Sequence, residues 1–228
     1  MTEDPIQGGA ASSRTTVRRG AKRAVYDREE MLELLRDGVV AHVGVMTTSG
    51  PVVLPMAYGV DGEKMYLHGA QANALLGGSL DAEICATVTI VDGLVLAKTP
   101  FNHSMNYRSV VVRGQAREVL DEGEKLRALR LVTDHIVPTW DVTRRPSSSE
   151  IRATKVVCLP LGEMSGKVRL GGAVNDEEDQ SAPYWSGQVP IVTRFGGAVS
   201  DPDAGDTVPP MVGELAGRDI HRRRHDLP

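Results

Sequence analysis

Cysteine is scarce: Cys85 and Cys158 are the only two among 228 residues. Each lies inside an apolar run, where a thiol behaves as a small buried hydrophobe, so no disulfide framework is indicated. Long hydrophobic runs are missing as well. No stretch approaches the ~20 apolar residues of a membrane helix, and the N-terminus has no hydrophobic signal segment. No membrane partner is therefore expected, and the cytoplasm is the expected compartment. Nor is there an excess of positive charge: 26 Lys and Arg stand against 30 Asp and Glu, a formal charge of −4. That balance leaves no electrostatic footprint for nucleic acid. A Walker loop, Gly-x-Ser-x-Gly, His-Glu-x-x-His and a cysteine pair at zinc spacing are all absent, and there is no internal repeat. A nucleophilic triad assembled from Ser104, His103 and some aspartate would need geometry that adjacency in sequence does not supply.

What is present is an ordinary soluble composition, 41% hydrophobic and 25% charged, enough for one well-buried core with tails. Residues 1–22 hold almost nothing large to bury and are expected to be a disordered arm. Residues 23–200 form the expected domain. Residues 201–228, rich in Gly, Pro and Asp and closing on a basic cluster from His221 to His225, are expected to be a flexible tail.

Within the domain, Asp27 and Glu30 form a capping-box-like start, Met31, Leu34 and Leu35 share a face, and Gly38 is a stop, which predicts a helix. From Val39 the period changes to two, with Val39, Ala41, Val43 and Val45 on one face and Val40, His42, Gly44 and Met46 on the other. Strands are predicted over 52–60 and 64–68, joined by the hairpin signal Asp61-Gly62. A short helix follows over 70–80. Further strands cover 83–91 and 94–98, hinged at Asp92-Gly93, and the run to Val119. The strongest helix spans 121–136, opening with Asp121 and Glu124, burying Leu126, Leu129, Val132 and Ile136, and ending before Pro138. Residues 153–161 read as a strand in which Pro160 marks an edge or bulge. Six or more strands with two or three helices and no βαβ alternation indicate an α+β barrel, not a Rossmann sheet.

The richest chemistry lies in residues 99–119. Asn102, His103, Ser104, Asn106, Tyr107 and Arg108 crowd into seven positions ahead of the strand 109–114, and a polar loop delivered by a strand end is how sites are usually built. The alternative is a turn whose side chains cap their own backbone. This stretch also carries a resemblance. Residues 101–110, FNHSMNYRSV, following Gly93-Leu94-Val95-Leu96-Ala97, resemble the signature of pyridoxamine 5′-phosphate oxidase-like proteins related to the nitroimidazole-resistance reductases. The likeness extends upstream to Ala41-His42-Val43-Gly44, residues 54–59 and residues 66–70, and downstream to Lys167-Val168-Arg169, the acidic turn 175–179 and residues 185–190.

The resemblance implies a six-stranded antiparallel split β-barrel with flanking helices, dimerising and holding FMN at the subunit interface. It implies a flavin-dependent oxidoreductase acting on a small aromatic or heterocyclic substrate. The strand bearing Val53, Leu54, Pro55 and Met56 would set backbone groups against the flavin ring. The phosphate would sit where His68, Gly69 and Ala70 lead to a helix start at Asn73, with Asn106, Tyr107 and Arg108 reaching in from the facing side. For Arg108 the alternative is an ion pair with a barrel carboxylate. Lys167 and Arg169 would add positive charge or simply face water. Where many relatives carry Ser followed by Arg or Lys, this chain has Asn73 and Ala74, so one charged phosphate contact is missing. Some split barrels bind haem or a deazaflavin instead, serving as carriers, sensors or stress-protection modules. His68 is then the candidate iron ligand, with a hydrogen bond to backbone or phosphate as its alternative role, while His42 reads as a core or interface histidine.

Overall fold

The computed structural model describes residues 9–70, 83–205 and 207–221. Two antiparallel sheets carry the chain: a seven-stranded sheet in the order β1-β10-β7-β6-β2-β3 with β11 paired to β6, and a four-stranded sheet in the order β4-β5-β9-β8. The strands are β1 (Ala24–Val25), β2 (Ala41–Thr47), β3 (Gly50–Met56), β4 (Tyr58–Val60), β5 (Lys64–Ala70), β6 (Glu83–Leu96), β7 (Ser104–Gln115), β8 (Arg117–Glu118), β9 (Thr154–Pro160), β10 (Glu163–Arg169) and β11 (Gly187–Pro190). The chain passes from one sheet to the other at Ala57 and again at Ala116, so the two sheets close into a barrel that is split at these corners. This is the α+β split barrel implied by the sequence, with more strands than the six anticipated.

Period-two patterning fixes the inner face. Ala41, Val43 and Val45 are buried while His42 and Met46 point outward, and the inner set joins Tyr58, Met65, Leu67, Val110, Val112 and Leu159 in the main core. Helix α1 (Arg28–Asp37) closes one end. The Asp27 carboxylate accepts from the Glu30 N–H at 2.9 Å, and Met31, Leu32, Leu34 and Leu35 are buried. Gly38 ends it where a Cβ would lie 2.1 Å from Val88. A second core lies outside the four-stranded sheet, where Tyr66, Val156 and Cys158 meet Ala128 and Val132 of α2 (Glu122–Ile136). Gly59 permits this contact, since its Cβ would come within 2.6 Å of the Leu131 backbone.

Several expectations need correction. The strand predicted over 52–60 bends at Ala57 and divides into β3 and β4, which belong to different sheets. The two strands hinged at Asp92-Gly93 are one strand of 14 residues with a register shift at that point. Leu126 and Ile136 of α2 are 40% and 45% exposed, because only the Ala128–Val132 stripe faces the sheet. Pro160 ends β9, a central strand, not an edge. A short helix α3 (Ser148–Ala153), held by a capping box between Ser147 and Glu150, was not anticipated. The helix expected over 70–80 falls on residues outside the described set, except for Ala70, which ends β5.

The described parts of the two tails make specific contacts. Thr15 is 3% exposed, Arg14 pairs with Glu83 and Glu163, and the Val17 N–H donates to the Tyr26 hydroxyl at 2.7 Å. Toward the C-terminus, the backbone at Arg194 pairs with that at Asp219 in a single antiparallel bridge, α4 (Pro210–Gly213) forms one turn, and His221 Nδ1 lies 3.2 Å from the Asp37 carbonyl. Polar contacts hold these segments, not apolar area, and composition does not register them.

Candidate functional site

β4 pairs only Tyr58–Val60 with Leu67–Met65 of β5, so β5 runs on through His68, Gly69 and Ala70 with β9 on one side and no described strand on the other. β3 ends its sheet in the same way. Two strand edges with free backbone groups therefore lie on either side of the Ala57 corner, and they carry seven of the residues singled out from sequence. On β3, Val53 is 62% and Leu54 38% exposed, Pro55 is exposed and Met56 half-buried. On β5, His68 and Gly69 are half-buried and Ala70 is exposed. Asn73 lies outside the described residues.

Asn106, Tyr107 and Arg108 stand elsewhere. They belong to β7, and β6 and β2 separate that strand from β3, so a single chain does not bring them to the β3 and β5 edges. Arg108 is engaged by carboxylates: Nε and Nη2 donate to the two oxygens of Asp92 at 3.0 and 2.8 Å, and Nη1 donates to Asp37 at 3.0 Å. The hydrogen bond to Asp92 is the main reason its guanidinium is held above its ordinary pKa. This is the ion pair that the sequence left open as the alternative. Asn106 is buried; its amide donates to Gln188 Oε1 at 2.7 Å and its carbonyl accepts from Arg169. Arg169 also donates to the carbonyls of Gly171 and Gly172 at 3.1 and 3.0 Å, which turns the chain after β10. Tyr107 is half-buried between Val91 and Arg169.

His68 has different surroundings. Its Nδ1 is sealed from solvent and has no hydrogen-bond partner among the described residues, and burial pushes the imidazole below its ordinary pKa. It lines a cleft of about 310 Å³ with Leu129, Thr133, Trp140, Arg144 and Ile151 among its walls. Trp140 is steadied by Arg145, whose guanidinium carbon lies 5.3 Å from the ring centroid. Arg144 is clamped bidentate to Glu150 at 3.0 and 2.8 Å, and this contact with the Ser147 N–H holds the Glu150 carboxyl down at about 2. The imidazole, a mixed lining of apolar and threonine side chains, and the Arg144–Glu150 pair make a site that can take a ligand with an imidazole-seeking centre. By contrast, His42 is exposed on β2, and His103 Nδ1 accepts from the Ala97 N–H at 3.2 Å. The sequence pointed to His68 but not to its neighbours. Leu129, Trp140 and Ile151 read as ordinary helix and loop residues, and nothing local says that they converge on a strand end some 60 positions or more away. Among the described residues no group of three His, Cys, Asp or Glu side chains could hold a metal ion by itself, and no helix is long and apolar enough to cross a membrane.

Residues 27–168 match the family described as pyridoxamine 5′-phosphate oxidase. Among solved structures, the flavocytochrome Anf3 from Azotobacter vinelandii is 37% identical, with 90% of this chain and 95% of that one covered and a TM-score of 0.83. The FAD and haem binding protein from Mycobacterium smegmatis is 29% identical, covering 87% of this chain and 99% of that one with a TM-score of 0.81. A protein assigned to 5-nitroimidazole antibiotic resistance, from Bacteroides thetaiotaomicron, is 25% identical over 64% of this chain and 86% of its own, with a TM-score of 0.54. No curated protein matches the sequence.

Proposed function

Because the chain belongs to the pyridoxamine 5′-phosphate oxidase family, we propose that it is a flavin- and haem-binding redox protein with His68 as the iron ligand. The observation that carries this reading is the His68 imidazole. The imidazole lines the cleft, its Nδ1 has no partner among the described residues, a state that costs on the order of 1–3 kcal/mol, and neutral imidazole is a common ligand to haem iron. Leu129, Trp140 and Ile151 would give the group apolar contacts, and Arg144, paired with Glu150, is the cation beside them. Two structures similar over nearly the whole chain, a flavocytochrome and an FAD and haem binding protein, support the same pairing.

The flavin belongs at the β3 and β5 edges, where the side of β3 turned away from β2 offers backbone groups of alternate residues to the polar side of the ring, Pro55 supplying a carbonyl but no N–H. Successive residues of a strand face opposite sides, so His68 and Gly69 turn toward different faces of β5, and the strand is the wall between the two groups. Flavin supplies two-electron exchange and haem one-electron exchange; the protein binds, orients and separates them. The expectation of FMN widens to a flavin nucleotide, FMN or FAD. Turnover of a small aromatic or heterocyclic substrate belongs to the flavin side. A second copy of the chain completes this site, with half-buried Tyr107 reaching the β3 edge from the partner while Asn106 stays buried between Gln188 and Arg169 and braces the strand.

Releasing the cofactors of the purified protein tests the reading. Chromatography of the acid extract should give one flavin nucleotide, and the pyridine haemochrome spectrum should give protohaem, each near one per chain. Protein that carries neither group, and takes up neither when both are supplied, would contradict it.

A further inference from the structure

Among the described residues, one cation beside the barrel opening has no counter-charge. Lys155 of β9 is only 8% exposed. Among the described residues its ammonium has no hydrogen-bond or ion-pair partner. It pairs in register with Gly69, as Val157 pairs with Leu67 and Leu159 with Met65, and paired residues share a face. The lysine stem therefore continues the inner row of Leu67, Val157, Met65 and Leu159, all in the main core, on the face opposite to His68. The ammonium itself is not among the polar atoms sealed from solvent, so it emerges at the end of the row, where Gly69 is half-buried and Ala70 exposed. Gly69 puts no side chain between Lys155 and the free edge of β5. The apolar row holds the stem, so the ammonium is presented at one place at the opening, where an anion can meet it. The segment that follows β5, residues 71–82, contains no Lys or Arg in its sequence.

We infer that Lys155 supplies the positive charge that receives the phosphate of the flavin nucleotide at the barrel opening. This rests on the flavin reading above, and it adds a specific contact from the strand next to β5. A point charge on a flexible stem suits an ester phosphate, which needs charge more than a planar fork.

The test uses flavin-free full-length protein titrated calorimetrically with FMN, FAD and riboflavin, alongside thermal stabilisation by inorganic pyrophosphate. Lys155→Met, of similar length and uncharged, should bind FMN and FAD about 10- to 100-fold more weakly, as expected for one charged contact, with riboflavin affinity unchanged. Lys155→Arg should keep most of the affinity, and pyrophosphate should stabilise wild type but not Lys155→Met. Equal losses for riboflavin and FMN would mean that Lys155 only packs, and unchanged FMN affinity would mean that it has no role; either overturns the inference. Lys155-dependent stabilisation by pyrophosphate without flavin binding would remove the flavin reading and leave an anion site. Stabilisation by neither ligand would remove both.

Discussion

Arg108 makes three hydrogen bonds to two carboxylates, and all three side chains are mostly buried, with 18%, 20% and 24% exposure for Arg108, Asp37 and Asp92. Removing the cation would leave two half-buried carboxylates facing each other. Breaking a buried pair from one side costs about 3–5 kcal/mol, and the partial exposure here places Arg108→Ala below that, at roughly 2 kcal/mol. Urea unfolding should show this loss, and Arg108→Lys should recover only part of it, because an ammonium cannot span both oxygens of Asp92 while reaching Asp37. A variant as stable as wild type would contradict the bridging role. The cluster around Arg108 was legible in sequence as chemically rich, but its partners were not. Asp37 lies 71 positions away at a helix end, and Asp92 becomes a partner only because the register of β6 shifts beside it. His68 was legible through the order of motifs around it. Its unpartnered nitrogen, the feature that makes it informative, emerges only from packing.

Among the elements, α2 depends on one glycine. Any side chain at position 59 would meet the Leu131 and Val132 backbone at 2.6–2.8 Å, and backbone cannot rotate aside. Gly59→Ala should push α2 off the four-stranded sheet and cost about 1–3 kcal/mol, the usual penalty of overpacking. Because α2 also walls the His68 cleft, haem affinity should fall with it; unchanged stability and affinity would contradict the close packing. α3 depends on its cap. The Glu150 carboxyl is held at about 2 against an ordinary 4.5 by Arg144 and by Ser147. A carboxyl depressed on folding adds stability that is fully present above its unfolded pKa and lost as pH falls through the folded one. The cap should therefore hold at pH 5 and loosen between about 4.5 and 2. A carbon-13 titration of the Glu150 carboxyl with a midpoint near 4.5 would show that the capping box does not form in solution. Helices α1 and α2 were readable because cap, period and stop agree within one short stretch each, from Asp27 to Gly38 and from Asp121 to Pro138. The division of residues 52–60 between two sheets was not readable, since the apolar run continues through the Ala57 corner and only the pairing partners change.

For the whole molecule, the account requires two copies. β3 offers a free edge and exposed Val53 and Leu54, Met46 beside it is 68% exposed, and the residues of β7 that would complete the flavin site are two strands away on the same chain. Sedimentation equilibrium at micromolar concentration should give about twice the 24.5 kDa chain mass; a monomer with flavin bound would contradict the shared site. The split-barrel architecture was legible from the succession of motifs, whereas the cleft beside His68 was not, because it is assembled from α2, α3 and the loop between them, all unremarkable when read separately. The central claim is that His68 holds haem iron, and the optical spectrum of protein reconstituted with haem tests it most directly. Wild type and His42→Ala should show the same sharp Soret band of an imidazole-ligated haem, and His68→Ala should lose it while flavin absorbance persists. An identical Soret band in His68→Ala would contradict the account.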